Sequence, residues 1–401
     1  MSDIFELYGI CISTAILLIF FSTQFDIISV RRTVIHRTPA SIRALLDPPS
    51  PSMDTLLRSR ASPNARLIRA FSLSNTFVSP DPTIHGKFLR KSRSLLQAAN
   101  RDWGRFNGIA LQAVDSALPD LPTPFHIFVR SVTLRVTLVG LLDPDADMTS
   151  LGSNDVDLVT NLITDLWILS KKSTHIPEHL LEMLNDRLRR LLPDQAAYPN
   201  PLDFVIPTWE TLWRVVAVTL VHVDMNAAAR RAFQDLSDNP DRAQFEASKL
   251  EGTSPSVENY ISESLRLHPP VRHITRHIFS ESRLTTFLPR FLASRIPPRI
   301  DIHVADIESA QRSALWESHS DSSPPETYDA ARFLREPAAS EVLAFGAGPL
   351  KCAAMTWAPM AAAVIVAAIL NRVDGVTHYI VRGDRIGGRE GWDGWMVRKA
   401  A

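Results

Sequence analysis

Cysteine is nearly absent from this chain of 401 residues, which has only Cys11 and Cys352. That excludes a disulfide framework and fits a reducing compartment. Charge of one sign is not in excess either. Lys plus Arg and Asp plus Glu both number 43, so net charge points to no partner. No basic groove interleaved with aromatics and no recognisable module accompanies the charge, which argues against nucleic acid. No internal repeat is present. What remains is a composition of 45% apolar and 21% charged residues, that of a globular protein long enough to bury a large core.

Charge is unevenly distributed. Residues 31–105 carry 14 basic side chains against 4 acidic ones, while residues 143–165 carry six acids and no base. Such runs are ordinarily solvated faces; a basic face against anionic lipid or an acidic protein is the functional alternative. Residues 7–25 are uncharged, a length of 19 that just suffices to cross a hydrocarbon core. Arg31, Arg32, Arg37 and Arg43 follow it, which predicts an uncleaved N-terminal anchor with the body of the chain on the cytosolic side. Residues 38–63 hold five prolines and read as a linker. Beyond them apolar spacing of three and four predicts helices over 84–100, 103–118, 125–142, 155–172 and 177–192, and another after Pro207. Short β-like pieces occur only at 276–279, 299–304 and 377–381. The expectation is one mainly α domain with minor β-sheets. The boundaries are residues 1–30 for the anchor, 31–82 for a Pro/Ser-rich irregular region and 83–401 for the folded domain.

Three constellations stand out. In Phe345-Gly346-Ala347-Gly348-Pro349-Leu350-Lys351-Cys352, a glycine turn presents a cysteine just ahead of an Ala-rich apolar run. Placed at a helix N-terminus, the thiolate of that cysteine would be favoured by free N–H groups and the helix dipole. A dinucleotide fingerprint with Asp374 as ribose acid fails here, because Lys351 stands at the third glycine position and no βαβ alternation surrounds it. Glu263 and Arg266 are i,i+3 neighbours on a helix that Ser254 would cap, with Pro255 at its first position and Pro269-Pro270 ending it. Alone, this is an ordinary ion pair. Glu210 and Thr211 put an acid beside an alcohol on an apolar helix, where either threonine, Thr208 or Thr211, could equally be a cap.

In this order, with Tyr328-Asp329-Ala330-Ala331-Arg332-Phe333 between the last two, the segments resemble the cytochrome P450 family in its microsomal, eukaryotic or fungal-like form. The cysteine loop resembles that family's Phe-x-x-Gly-x-Arg-x-Cys-x-Gly signature at Phe345, Gly348 and Cys352, and the likeness runs from about Trp103 to the C-terminus. It implies the cytochrome P450 fold behind a single N-terminal transmembrane helix. It also implies a heme b whose iron takes the thiolate of Cys352 as its metal ligand, with Phe345 packed on the heme and Gly348 allowing close approach to the sulfur. Glu263, Arg266 and Arg332 would form a charged structural network; Glu210 and Thr211 would deliver protons; Arg276, and Trp103 with Arg105, would contact the heme. Departures from the family pattern fall at Leu350, Ala354, Asn107, Pro207-Thr208, Tyr328 and Ala330, and Leu350 and Asn107 remove two expected partners of the heme carboxylates.

The implied function is a monooxygenase of specialised metabolism on the endoplasmic reticulum membrane. It would take O2, an apolar small-molecule substrate and electrons from NADPH-cytochrome P450 reductase, with lipid as a further partner. A rearrangement or dehydration without oxygen insertion, and a heme-poor membrane-bound partner protein, are the alternatives. The apolar run 353–370 is long enough for a second membrane span; its alanines and Pro359 predict a buried helix behind the heme instead.

Overall fold

A computed structural model describes residues 32–248, 254–280, 299–313, 316, 324–335 and 342–400. The uncharged run 7–25 and Cys11 lie outside them.

The chain begins with strand β1 (Thr33–His36), then helices α1 (Pro39–Leu46) and α2 (Met53–Phe71). This stretch, expected as a linker, is folded. Its prolines punctuate helices: Pro39 opens α1 behind a capping box of Thr38 and Ser41, and Ser52 caps α2 just after Pro51. Only Pro63 stands inside a helix, and Leu56, Leu57, Leu67 and Phe71 of α2 are buried. Proline density misleads here, because proline at a first turn costs no hydrogen bond.

Next come α3 (Pro82–Ala99), α4 (Trp103–Ala117), strand β2 (Thr123–Pro124), α5 (Phe125–Thr137, ending in a π turn Leu138–Leu142), α6 (Ser153–Ser170) and α7 (Glu178–Leu191). These match the sequence expectations to within a few residues. The central helix α8 (Leu202–Val223) starts upstream of Pro207, which the sequence had placed at its entry. Proline has no N–H for the carbonyl of Asp203, four residues back. That carbonyl instead accepts Nδ2–H of Asn75 at 2.8 Å, and the Thr208 hydroxyl bonds back to Phe204 O at 2.7 Å. Helices α9 (Ala227–Asp238), α10 (Arg242–Glu246) and α11 (Val257–Leu267) follow. Ser256, not Ser254, caps α11, in a capping box with Asn259, and α11 ends at Leu267, just before Pro269-Pro270.

Strands β3 (His273–Ser280) and β4 (Arg299–Asp306) join β1 in a sheet of order β1-β4-β3, with β1 parallel and β3 antiparallel to β4. After α12 (Ile307–Gln311) and α13 (Arg332–Arg335) comes α14 (Ala358–Arg372), then β5 (His378–Val381) and β6 (Met396–Lys399), which with β2 form an antiparallel sheet of order β2-β6-β5. The fold is mainly α with two small sheets. Every residue from Met360 to Leu370 is buried, so α14 is the core helix the sequence suggested, packed by α4, α8, α9 and α11. Among the described residues two helices, Phe125–Leu142 and Leu202–Val223, are long and apolar enough to cross a membrane, but 89% and 72% of their most apolar windows are buried in the protein, which makes them core helices.

Candidate active site

Cys352 lies on a loop closed by its own backbone N–H, which donates to Phe345 O at 3.0 Å. Gly346 and Gly348 both have positive φ, at 72° and 69°, and turn the loop where a side chain would be strained. Gly348 was expected to give room beside the sulfur. The close approach it permits is to α1 instead: a Cβ there would lie 2.6 Å from Leu46 O. The helix after the loop starts at Ala358 and not at Ala353, with Pro359 in its first turn, where a proline costs no hydrogen bond. Cys352 therefore precedes the helix by six residues and gains little from its dipole, which fades within the first turn. Cys352 as a residue is exposed to solvent, while its thiol is closely walled by protein. Burial pushes its pKa up, and a backbone hydrogen bond from Ala354 pulls the other way. Phe345 is half-buried against the main core, and Leu350 sits in the 3-10 turn Gly348–Leu350.

The loop also packs on β3, since a Cβ at Gly346 would stand 3.6 Å from Ile274. Side chains two apart on a strand share a face, so Arg276 projects on the loop's side of β3. It is buried, and burial lowers its pKa to about 10. Beside it lies Arg60 of α2, also buried and also lowered to about 10, by burial and by the Arg276 charge. Arg60 donates to the hydroxyl and the carbonyl of Thr76, and the Thr76 hydroxyl meets His85 Nδ1 at 2.8 Å. Its Nε has no partner, and among the described residues no carboxylate pairs with either guanidinium. Two buried cations without an anion are expensive; the arrangement suits a ligand that brings its own carboxylates. Sequence reasoning found Arg276 and missed Arg60 and His85, which no local pattern marks.

Glu263, Arg266 and Arg332 are brought together. Glu263 and Arg266 are fully buried and joined by two hydrogen bonds of 2.6 and 2.8 Å; Arg332 Nε lies 3.7 Å from Glu263, and the N–H of Asp329 donates to it at 2.9 Å. Arg266 also reaches Gln311 O at 2.7 Å. Removing one arm of such a network leaves a buried charge and costs on the order of 3–5 kcal/mol. Tyr328, in the same segment as Arg332, donates to Tyr260 O at 2.7 Å and stacks on His222 at 3.9 Å.

Glu210 and Thr211 do not act as a free pair. Successive helix positions lie about 100° apart. Glu210 is buried and clamped by Arg214, at 2.7 Å, and by Arg389 from the C-terminal loop, while Thr211 is half-buried on α8. Trp103 and Arg105 take different neighbours. The Trp103 ring stacks on Trp357 at 6.4 Å and meets Phe106 edge-on; Arg105 donates to Pro144 O and lines an open groove of about 380 Å³ with Gln112 and Asp147. Asn107, at the position where an arginine was expected, is buried and donates to Ser237 O at 3.0 Å.

A family model described as cytochrome P450 matches residues 253–375, which hold Glu263, Arg266, Arg332 and the cysteine loop. Cytokinin hydroxylase of Arabidopsis thaliana is 26% identical over 117 residues, covering 29% of this chain and 21% of that protein. Cytochrome P450 4F2 of Homo sapiens is 28% identical over 155 residues, covering 38% and 27%. The match thus spans about a quarter of the length of either curated relative. In fold the likeness is much longer. A 6-coordinated cytochrome P450 from Thermus thermophilus superposes with a TM-score of 0.61 over 92% of each chain at 11% identity, and CYP175A1 from a second strain of that organism with 0.62 over 93% and 90% at 12% identity. Residues 253–375 thus resemble the cytochrome P450 family in sequence, and over more than nine-tenths of its length the chain shares the fold of solved cytochrome P450s.

Proposed function

We propose that the chain is a heme-thiolate monooxygenase that places one atom of O2 into a small molecule and releases the other as water. Heme is the family's cofactor; bound here, it would supply O2 activation, favoured by electron donation from a thiolate. The observation that supports the reading is that the loop carrying Cys352 packs, at Gly346, on the face of β3 that Arg276 shares with Ile274, with Arg60 beside Arg276. One edge of that space offers a sulfur ligand, the other two guanidiniums with no anion of their own. Arg60 then answers the loss of the signature arginine at Leu350.

In this reading Cys352 holds the metal, Phe345 walls the loop, and Arg276 and Arg60 hold the cofactor's carboxylates. The Glu263–Arg266–Arg332 network fixes α11 to the segment leading into the cysteine loop. Glu210 ties α8 to the C-terminal loop through Arg214 and Arg389, so the proton-holding role passes to the Thr211 hydroxyl. Electrons come from NADPH-cytochrome P450 reductase at the endoplasmic reticulum membrane, and the reaction belongs to specialised metabolism. The resemblance to microsomal members supports this placement.

The test is the absorption spectrum of the reduced, CO-treated protein. The Soret band of thiolate-ligated heme is expected, lost in Cys352→Ala and kept in Thr211→Ala, which should consume O2 without matching product. Folded protein that binds no heme would overturn the proposal.

A further inference from the structure

Four cations converge on one carboxylate. Arg214 and Arg389 both pair with Glu210. Arg389 and Arg66 both lie over the ring of Trp167, at 4.5 and 5.0 Å. Lys171, the C-cap of α6, is close enough to feel Arg389, Arg66 and Arg214 as repulsion and Glu210 as attraction. The carbonyls at the end of α6 do not absorb this charge, since Arg69 takes Ser170 O and Lys172 O, leaving Arg66 the Ser170 hydroxyl as its hydrogen-bond partner. Asp165 and Glu390 act on Arg130, a fifth cation next to the group. With Arg130 included, five positive charges against Glu210, Asp165, Glu390 and a helix C-terminus of about half a negative charge leave a surplus of roughly +1.5.

Position gives the surplus a purpose. Arg66 follows Arg60 by six residues on α2, which is about 9 Å along the helix axis. Arg214 also donates to Pro270 O, in the segment that runs into β3. The cluster is therefore tied to α2 and to the segment entering β3, the two elements that carry Arg60 and Arg276, with indole surface (Trp167) alongside.

We infer that the substrate is an amphiphile whose anionic head group, carboxylate or phosphate, binds at Arg66, Arg389 and Lys171. The inference rests on the monooxygenase reading and names the substrate class for it. The head group would accept charge-assisted hydrogen bonds from guanidinium forks already held by Trp167 and Glu210, so little ordering is required on binding. Held there, it directs the apolar body away from the cations.

Equilibrium dialysis of the full chain tests this with three probes of one body: dodecanoate, dodecyl phosphate and dodecanol, below their aggregation limits. At low salt one or both anions should bind at least about tenfold tighter than the alcohol; which anion wins identifies the head group. High salt should erase the preference without touching the alcohol. Arg66→Gln should weaken the anions at least about fivefold and spare the alcohol, and Arg66→Lys should recover part of the loss. Equal affinity for all three probes, or equal weakening of all three by Arg66→Gln, overturns the inference. The CO spectrum of the same sample separates the two claims: a thiolate Soret band with no preference for the anions sinks this inference alone, whereas folded protein without the band sinks the monooxygenase reading.

Discussion

Arg276 and Arg60 act against the fold until an anion arrives. Their pKa values, both about 10, reflect desolvation above all. Arg276→Gln should therefore stabilise the heme-free protein, by on the order of 1 kcal/mol in urea unfolding, while weakening heme binding in titrations. A variant that lost stability without heme would show that Arg276 has a structural partner. At the cysteine loop, Gly348 and Gly375 make a matched pair. Both have positive φ, but a Cβ at Gly348 meets Leu46 O and Asp47, whereas nothing lies within 4 Å of one at Gly375. Gly375→Ala should cost about 1–2 kcal/mol for the left-handed backbone alone. Gly348→Ala should cost at least about 1 kcal/mol more, since the α1 backbone must move. Denaturant midpoints of the two variants read the difference. At this scale the sequence was informative only where a residue type is irreplaceable. Cys352, Glu263 and Arg266 could be picked out by type and spacing. Arg60 could not, because one arginine among 14 basic residues in 31–105 looks like any other until its burial is known.

Helix α8 shows how an element absorbs a fault in its sequence. Pro207 frees the Asp203 carbonyl, and Asn75 from the loop after α2 satisfies it, while the Asp203 carboxylate accepts the N–H groups of Ser74 and Asn75. The helix thus runs five residues upstream of Pro207, to Leu202, and gains a tie to the N-terminal region. A double-mutant cycle exposes the coupling. Asn75→Ala should cost about 1–3 kcal/mol in the native sequence, and roughly 1 kcal/mol less in a Pro207→Ala background, where the alanine supplies the missing N–H. No reduction would mean that the carbonyl finds another donor. Prolines elsewhere behave by position: Pro39 and Pro359 start helices, so the Pro-rich stretch is structure and the helix after Cys352 begins late. Helical periodicity was legible from α3 to α7 because amphipathic spacing is local. The partner that rescues a broken helix is not, since Asn75 and Asp203 are 128 residues apart.

The molecule as a whole should lose stability as it is acidified below neutrality. Between α8 and the end of α11, His222 and His268 face each other with Nε2 atoms 3.3 Å apart. Burial lowers His222 to about 4, helped by Arg382, and lowers His268 to about 3, helped by His222, Arg312, Arg272 and Arg266. In the unfolded chain both return to about 6.5. From pH 6.5 down to those folded values the unfolded state binds more protons, so stability falls by up to about 1.4 kcal/mol per pH unit for each histidine; above pH 6.5 their contribution is constant. Urea unfolding at pH 7.5 and 5.0 should show the drop, and His268→Gln should flatten it. An unchanged slope would assign acid sensitivity to other groups.

By itself, the sequence determined the class of the fold, the helices from α3 onward, the order of the signature segments and the cysteine, because periodicity and residue type are written locally. Tertiary structure alone decided that residues 38–63 are largely helix and that Trp103 stacks on Trp357 while Arg105 bonds to Pro144 O. It also decided that Glu210 is an anchor between two arginines, and that Arg60 and Arg276 are buried side by side. Those are questions of what each charge meets when the chain closes on itself, and a charge's neighbours here come from elements tens to hundreds of residues away.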